Sequence, residues 1–493
     1  MTGLALGVYG LLLVAAAVAV WRRPIAALFL WVVGLAVHNA AGAALYGAGV
    51  RDGALTAIQA WKEILLAVTV MRLAWTGVRR RALPFAPHIA DALALAYALL
   101  VCLYALIPQH VLGGAADRHA VALALKHDLV PVTAYFVGRA VVVRRDDLVK
   151  LAWTVMGAAG IVATWGVVDD YAISISWWRG SAVVPYFHQH LGYDYHGTGG
   201  LPENFVYNVG NDRPFLRRLV STFLSPLASA YMFVVALVVA AALRRRMRAL
   251  LVLSLAAAGG LLFTFSRSSL IALAAGLVVI ALVRREWWPL GAAVATIAVS
   301  IAWVHVFPSI APTGRFTRAD LAYQHRLARE HPGASFNPTS GNEPSIRSHL
   351  SSLRDGVRTV VRHPQGYGLG NAGQTASRTG TPIKAGESNY TEMGAELGLL
   401  GSVLWTAWGV AVLAALVIAA RRTGWWAAVA VAGSFAAALV LAVQTDVIGD
   451  PWVGYVLWAL AGIVLTPRAE LESRAGRPPR AARRALRSAV GSR

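Results

Sequence analysis

Charge and cysteine are both scarce in this chain. Asp, Glu, Lys and Arg make up 14% of the 493 residues, whereas about a quarter is usual for a soluble protein. Only one cysteine is present, so no disulfide can form within the chain. The low charge argues against a soluble protein, and the single cysteine excludes a fold held together by internal disulfides.

Hydrophobic residues account for 57% of the chain, in runs close to the roughly 20 residues that a helix needs to cross a bilayer. The alternating pattern of a membrane β-barrel is absent, so the spans are expected to be helices, which pair their backbone polar groups internally. The sequence predicts an all-α polytopic membrane protein of about 12–13 transmembrane helices with a large helical external loop. Spans are expected near 3–20, 25–46, 54–76, 88–107, 120–142, 149–168, 218–242, 249–265, 268–283, 287–306, 394–420, 425–445 and 451–466. The first span is expected to be retained, because it lacks the basic start and the cleavage site of a signal peptide.

The net charge of +21 would suggest nucleic acid as a partner of a soluble domain, but here basic clusters fall on alternate short connections, so no nucleic-acid partner is expected. The positive-inside rule makes these connections cytoplasmic, with the N-terminus outside and the C-terminus inside a bacterial cytoplasmic membrane. The clusters are Arg22–Arg23, Arg79–Arg81, Arg144–Arg145, Arg244–Arg246, Arg284–Arg285, Arg421–Arg422 and the C-terminal tail.

The predicted topology divides the chain into six regions. They are N-terminal transmembrane helices (1–168), a first external loop (169–217), further transmembrane helices (218–306), a large external loop (307–393), C-terminal transmembrane helices (394–466) and a basic cytoplasmic tail (467–493). The large loop carries ten basic residues against six acidic ones. Long external loops are exempt from the charge rule, so these charges need another explanation.

Within the large loop, residues 346–362 predict an amphipathic helix with one apolar and one arginine stripe. Ser345 is the expected N-cap, and His363–Pro364 ends the helix. The glycines that follow match G-x-G-x-x-G at Gly368, Gly370 and Gly373, but no strand precedes them and no long helix follows, so a nucleotide site is rejected.

Two arginines stand at places where membrane topology gives no reason for them. Arg267 lies between two apolar runs on the predicted outer side, where a cation is costly unless it is paired or faces a wet cavity. Arg217 and Arg218 are expected at the outer start of a span, where a guanidinium fork and a helix N-terminus would both favour phosphate. Snorkelling or interface anchoring is the alternative for each; of the last two, Arg218 is preferred.

Glu387, just before the span at 394, is a candidate base for an acceptor hydroxyl; an ion-pair or capping role is the alternative. His349, His363, His331 and His325 are other candidate bases in the same loop. No spacing indicates a metal cage, although Asp169–Asp170 could bind a divalent cation, and no cofactor is expected. Ionisable residues at or near membrane depth are candidates by default: Lys62, Glu63, His38 and Asp91.

Taken together, these motifs resemble the O-antigen ligase and polysaccharide polymerase family (the WaaL and Wzy type). Arg218-x-x-Ser221-Thr222-Phe223 with Pro226 is the first matching piece, and Ser266-Arg267-Ser268-Ser269-Leu270 is the second. The third runs from Arg347 through His363-Pro364-x-Gly366-x-Gly368-x-Gly370 to Glu387-Ser388-x-Tyr390 and Glu396-Leu397-Gly398-Leu399-Leu400-Gly401. The resemblance is best over 217–401.

The resemblance implies a GT-C-like bundle that transfers a glycan from a polyprenyl pyrophosphate donor to a sugar hydroxyl of a glycan or glycolipid acceptor, outside the cytoplasmic membrane. Arg218 and Arg267 would hold the pyrophosphate. The family's ligases are expected to use a loop histidine as base, and the matching position here is Glu387. Substrate binding is predicted for Arg217, Arg347, His349, Arg354, His363 and Tyr390.

Two other functions compete with a transferase. A transporter or flippase for a lipid-linked glycan would share an arginine-lined cavity but needs inner-face access and helices broken near mid-membrane. A sensor or assembly scaffold would use the loop as a docking surface and needs no buried arginine pair. Convergence of Arg218, Arg267 and Glu387 on one outward-facing site would favour the transferase.

Overall fold

A computed structural model describes residues 2–81, 85–193, 201–202, 204–208, 214–243, 250–330, 340 and 342–466. The predicted tail 467–493, His331 and the 244–246 cluster lie outside these residues. The described helices are α1 Thr2–Arg22, α2 Ala26–Gly47, α3 Asp52–Gln59, α4 Trp61–Arg80, α5 Ile89–Leu106, α6 Arg118–Ala140, α7 Arg145–Ala172, α8 Ile175–Gly180, α9 Val183–Pro185, α10 Pro226–Leu243, α11 Leu250–Phe263, α12 Arg267–Arg284, α13 Trp287–Ile310, α14 Arg318–Glu330, α15 Pro344–Arg362, α16 Gly373–Thr379, α17 Asn389–Thr423, α18 Trp426–Leu441 and α19 Trp458–Leu465. Short 3-10 turns occupy Gln109–Leu112 and Ser221–Phe223, and π turns occupy Tyr186–His190 and Val453–Leu457.

Within the described ranges, nine helices are long and apolar enough to cross a membrane. α3 and α4 together form a tenth candidate, bent by 44°. The other three predicted spans coincide with shorter apolar helices, Leu250–Phe263, Trp426–Leu441 and Val453–Leu465. At 1.5 Å per residue, 14 residues of α11 reach only about 21 Å, less than the roughly 30 Å hydrocarbon thickness. The fold is an all-α polytopic membrane protein, as predicted.

Basic clusters far apart in sequence lie at one end of the bundle, which we call the basic face. Arg23 pairs with Asp147 at 2.9 Å, joining the end of α1 to the start of α7. Arg284 donates to the carbonyl of Ala242 at the end of α10 (2.6 Å), and Arg421 donates to the carbonyl of Leu282 (3.4 Å). Three of the predicted basic clusters, at Arg23, Arg284 and Arg421, thus contact the ends of neighbouring helices.

The opposite end, the loop face, carries α8, α9, α14–α16 and a small sheet. Strands β1 (Val206–Tyr207), β2 (Phe215–Arg217) and β3 (Thr313–Gly314) pair antiparallel in that order. Val206 faces Arg217, and Phe215 faces Gly314. The sheet ties the first predicted loop to the start of the large one.

The helix predicted to start at residue 218 begins only at Pro226. Arg218 continues instead from β2, and its backbone N–H donates to the carbonyl of Phe205 (3.1 Å). The apolar stretch from Leu219 onward predicts the start of a span, but it is a buried segment with one 3-10 turn, Ser221–Phe223, that packs against α2, α7 and α10.

A buried ion pair holds the basic face of α5 and α6 together. Arg139 binds the Asp91 carboxylate through Nε (3.0 Å) and Nη2 (3.1 Å), and the Tyr135 hydroxyl donates to the same carboxylate (2.7 Å). Arg139 and Asp91 are 1% and 4% exposed. Asp91 was a candidate site residue because of its expected depth in the membrane, and its carboxylate is paired with the Arg139 guanidinium.

We expect Arg139→Ala to destabilise the protein by about 3–5 kcal/mol, because it leaves the Asp91 carboxylate buried without its cation. Thermal unfolding of the purified protein in detergent measures the effect. The matched double variant Arg139→Met/Asp91→Leu removes both charges and should lose much less stability. Equal losses in the two variants would contradict this explanation.

Candidate active site at the loop face

Arg218 and Arg267 are both anchored to the short connection between α11 and α12. Arg218 is 8% exposed, and its Nε donates to the carbonyl of Thr264 (2.8 Å). Phe265 follows with a positive φ of 50°, which turns the chain sharply, and Arg267 then begins α12. Two predicted phosphate-binding residues thus share one three-residue turn, although they are far apart in sequence.

Arg267 is tied to the start of α15. Its Nη2 lies 3.0 Å from Oε2 of Glu343, which is 3% exposed and caps the N-terminus of α15. The Tyr207 hydroxyl donates to Oε1 of the same carboxylate (3.1 Å), and the Arg267 guanidinium lies 5.8 Å from the Tyr207 ring centre. Burial raises the pKa of the Tyr207 phenol and the negative charge of Glu343 raises it further, so the phenol remains a donor.

The same region of the structure revises two expectations. The N-cap of α15 is Glu343 and not Ser345, because its carboxylate accepts the backbone N–H of Ile346 (2.9 Å). The span that was expected to start at residue 218 begins eight residues later at Pro226, so the prediction that Arg218 stands at the N-terminus of this helix is wrong.

Arg217 has a different environment from Arg218. It is 5% exposed, lies 3.7 Å from the carboxylate of Asp169 and 3.6 Å from that of Asp170, and donates to the carbonyls of Asp170 (2.9 Å) and Ile173. Asp169 and Asp170, weighed as a cation site, face this guanidinium. Their contacts give Arg217 an anchoring role at the end of α7.

Glu387 contacts His349, the histidine on the second turn of α15. The Glu387 carboxylate meets Nδ1 of His349, and their side chains are 44% and 30% exposed. His349 is six positions after Glu343 in the sequence, so the two lie roughly 9 Å apart along the helix axis. The N-cap of α15, Glu343, therefore contacts Arg267, and His349 within α15 contacts Glu387, the predicted base.

The remaining predicted binding residues are more scattered. Arg347 and Arg354 are exposed on α15. His363 donates from Nε2 to the carbonyl of Leu112 (2.9 Å) and stacks on Tyr367 with ring centres 3.9 Å apart. The Tyr390 hydroxyl donates to the carbonyl of Leu439 (3.0 Å) in α18. These contacts give His363 and Tyr390 packing roles.

The glycine turn after α15 interlocks with a break in α17. Gly398 has φ 71° and ψ −175°, which interrupts the helix. The backbone N–H groups of Tyr367 and Gly368 donate to the carbonyls of Ala395 (2.7 Å) and Glu396 (2.9 Å) at this break. Two motifs of the resemblance, the glycine run and Glu396-Leu397-Gly398, are thus two halves of one backbone joint.

The Glu396 side chain completes the joint. Its Oε1 accepts the backbone N–H of Gly370 (2.9 Å) and of Ala372 (3.2 Å), and the carboxylate is 2% exposed. The carboxylate therefore holds the turn that follows α15 against α17, and it accounts for Glu396 as a structural residue.

A second polar cluster that sequence reasoning missed lies where α6, α17 and the 442–452 connection meet. His127 contacts Asp128 through Nδ1 (2.9 Å) and Asp446 through Nε2 (3.1 Å). The Asn389 amide donates to Glu392 (3.2 Å) and Asp446 (2.8 Å). Burial alone would raise the pKa of Asp446, but the His127 charge and its hydrogen bonds lower it. Both His127 and Asp128 lie within the predicted span 120–142.

Among the described residues, His127, Glu392 and Asp446 form a group able to hold a metal ion, with ligand atoms within 4.8 Å of one another. In a separate group, Lys62 Nζ lies 3.2 Å from Nε2 of His38 and 3.5 Å from Oε1 of Glu63. These contacts pair Lys62, Glu63 and His38, which the sequence had marked only by their depth.

Comparison with known families addresses the core of this site. Residues 249–406 match the sequence model described as O-antigen ligase. The match runs from α11 into α17 and includes Arg267, Glu343, His349, Glu387 and the backbone joint; Arg218 lies before it. It confirms the resemblance predicted from the motifs. No curated protein matches the chain significantly.

Proposed function

With the match to the O-antigen ligase family as premise, we propose that the protein is a membrane glycosyltransferase that takes a glycan from a polyprenyl pyrophosphate donor. The acceptor is a sugar hydroxyl, and the reaction occurs at the loop face, on the outside of the bacterial cytoplasmic membrane. The protein acts as a polysaccharide polymerase or ligase. The single observation that carries this proposal is the anchoring of Arg218 and Arg267 to one turn, at Thr264 and at the start of α12.

The charge of this cluster suits a departing diphosphate. Among the described residues, the carboxylate of Glu343 lies against Arg267, and Arg218 and Arg267 bring two guanidinium groups to this turn. Guanidinium groups bind phosphate oxygens in a bidentate manner. Fixed positive charge in a poorly hydrated site stabilises negative charge as it develops in the transition state. We assign donor binding to Arg218 and Arg267, and an anchoring role to Arg217.

The transfer step needs a base at the acceptor. The acceptor oxygen bonds to the anomeric carbon, its proton passes to the base, and the C–O bond to pyrophosphate breaks with its electron pair remaining on the pyrophosphate oxygen. The contact between Glu387 and Nδ1 of His349 supports two assignments: Glu387 takes the proton itself, or it orients His349, whose Nε2 takes the proton. In both assignments the base lies in or beside α15, the helix whose N-cap Glu343 contacts Arg267.

Two amide variants separate these assignments. If Glu387 is the base, Glu387→Gln loses nearly all transfer while His349→Gln keeps a substantial part. If His349 is the base, His349→Gln is the more damaging change. Wild-type transfer in both variants would exclude this pair as the base.

A transporter for the same lipid-linked glycan remains the competing function. It would move the donor without consuming it. Cells lacking the protein should accumulate the lipid-linked glycan on the outer leaflet if the protein is a transferase. Accumulation only on the inner leaflet would favour the transporter, and the chemical identity of the accumulated glycan would name the sugar.

A further inference from the structure

We propose that α15 is an interfacial helix whose outer surface lies in the outer-leaflet phospholipid of the membrane. The evidence begins with its exposed side chains. Leu350, Val357 and Val361 are 61%, 51% and 71% exposed, and spacings of seven and four residues place them on one stripe of the helix. This apolar stripe does not face the protein, whereas Val360 and Gly356 of the same helix are buried.

A row of arginines borders the stripe. Arg347, Arg354, Arg358 and Arg362 are all exposed, and at 3.6 residues per turn they follow the apolar stripe around the helix on the side away from the buried face. Helices that lie in a membrane surface show this order of apolar and basic side chains, with the long basic side chains reaching the headgroup phosphates. The positive row complements anionic lipid.

The packing of α15 sets its depth. Val360 and Ser402 both lie against Gly394: a Cβ on Gly394 would be 2.6 Å from Val360 Cγ2 and 3.3 Å from Ser402 Cβ. Ser402 belongs to the first turns of α17 beyond the break at Gly398, and this part of α17 continues to the basic face. The carboxyl-terminal half of α15 is therefore level with the outermost turns of a membrane-crossing helix.

The apolar stripe also continues a surface that faces lipid. Leu399, Leu400 and Val403 in the same turns of α17 are 52%, 57% and 54% exposed. An exposed apolar surface at membrane depth on α17 and an exposed apolar stripe on α15 beside it fit one occupant, the bilayer. This lipid contact would hold the helix that carries Glu343 and His349 at a fixed height. It also gives Arg347 and Arg354 a ligand other than the glycan donor.

Site-directed spin labelling of the full-length protein in lipid nanodiscs tests the immersion. In a Cys102→Ala background, nitroxides are attached to Leu350→Cys, Val357→Cys and Val361→Cys, with Val403→Cys as the lipid-facing control and Ser351→Cys, on the polar side of α15, as the water-facing control. We expect the three stripe positions to favour oxygen over a water-soluble nickel relaxant, as Val403→Cys does, and Ser351→Cys to show the reverse.

Two outcomes would overturn the proposal. One is water-like accessibility at Val357→Cys and Val361→Cys. The other is oxygen accessibility that appears only after a polyprenyl pyrophosphate lipid is added, since the donor chain and not the bilayer would then occupy the stripe. In nanodiscs of phosphatidylglycerol we expect deeper immersion than in phosphatidylcholine, and Arg354→Gln/Arg358→Gln should abolish that difference. An identical depth in both lipids would contradict the role given to the arginines.

Discussion

Arg267→Ala should reduce glycan transfer by about 10²–10³-fold, the loss typical of removing one preorganised group that stabilises charge in a transition state. Arg267 opens α12 and contacts Glu343 at 3.0 Å, so the variant also leaves that carboxylate without its guanidinium beside a negative substrate. Arg218→Ala should fall in the same range, because Arg218 is anchored to the same turn. The measurement is the release of polyprenyl pyrophosphate by purified variants.

Matched controls separate lost chemistry from lost folding. Arg318→Ala removes an exposed arginine of α14 in the same loop and should keep wild-type activity. Arg267→Lys keeps the charge but loses the bidentate fork, so it should restore only part of the activity. Full activity of Arg267→Ala and Arg218→Ala at normal yield would exclude the phosphate-binding role.

Gly398→Ala should destabilise the protein by roughly 3 kcal/mol or more, because a side chain is strained at this backbone conformation and has no room. The φ at Gly398 is +71°, and a Cβ would lie 2.3 Å from the carbonyl oxygen of Pro364. The substitution would force the glycine turn away from α17 and disturb the carboxyl-terminal end of α15. Thermal unfolding and transfer activity should fall together.

Gly259→Ala is the matched control for this substitution. Gly259 lies in α11 with nothing within 4 Å of its added Cβ, and alanine is the better helix former. The variant should therefore unfold at or above the wild-type temperature. A Gly398→Ala protein that unfolds at the wild-type temperature would show that the joint does not depend on this glycine.

Much of the scaffold could be predicted because membrane spans and amphipathic helices leave periodic patterns. α15 was predicted within two residues of its observed bounds, since its apolar and arginine stripes recur at helical spacing. Arg267 stood out because a cation between two apolar runs needs a partner or a wet cavity. The partner itself, Glu343, could not be inferred, because a single acidic residue in a long polar loop carries no periodic signal.

The features that were missed are those made by tertiary contact. His127 and Asp446 are 319 residues apart, and nothing local to either residue indicates the other. The three strands are two or three residues long, too short for alternation to be visible. The start of α10 was misplaced because Leu219–Leu224 is as apolar as a span, whereas its packing against α2, α7 and α10 depends on contacts that hydropathy does not encode.

The most direct test is to reconstitute the purified protein in liposomes with a polyprenyl pyrophosphate-linked glycan and a glycan acceptor, and to follow the lipid product. We predict that polyprenyl pyrophosphate is released only when both substrates are present, and that the acceptor gains the glycan in equal amount. Movement of an intact donor between leaflets, with no pyrophosphate released from the active wild-type protein, would contradict the transferase assignment.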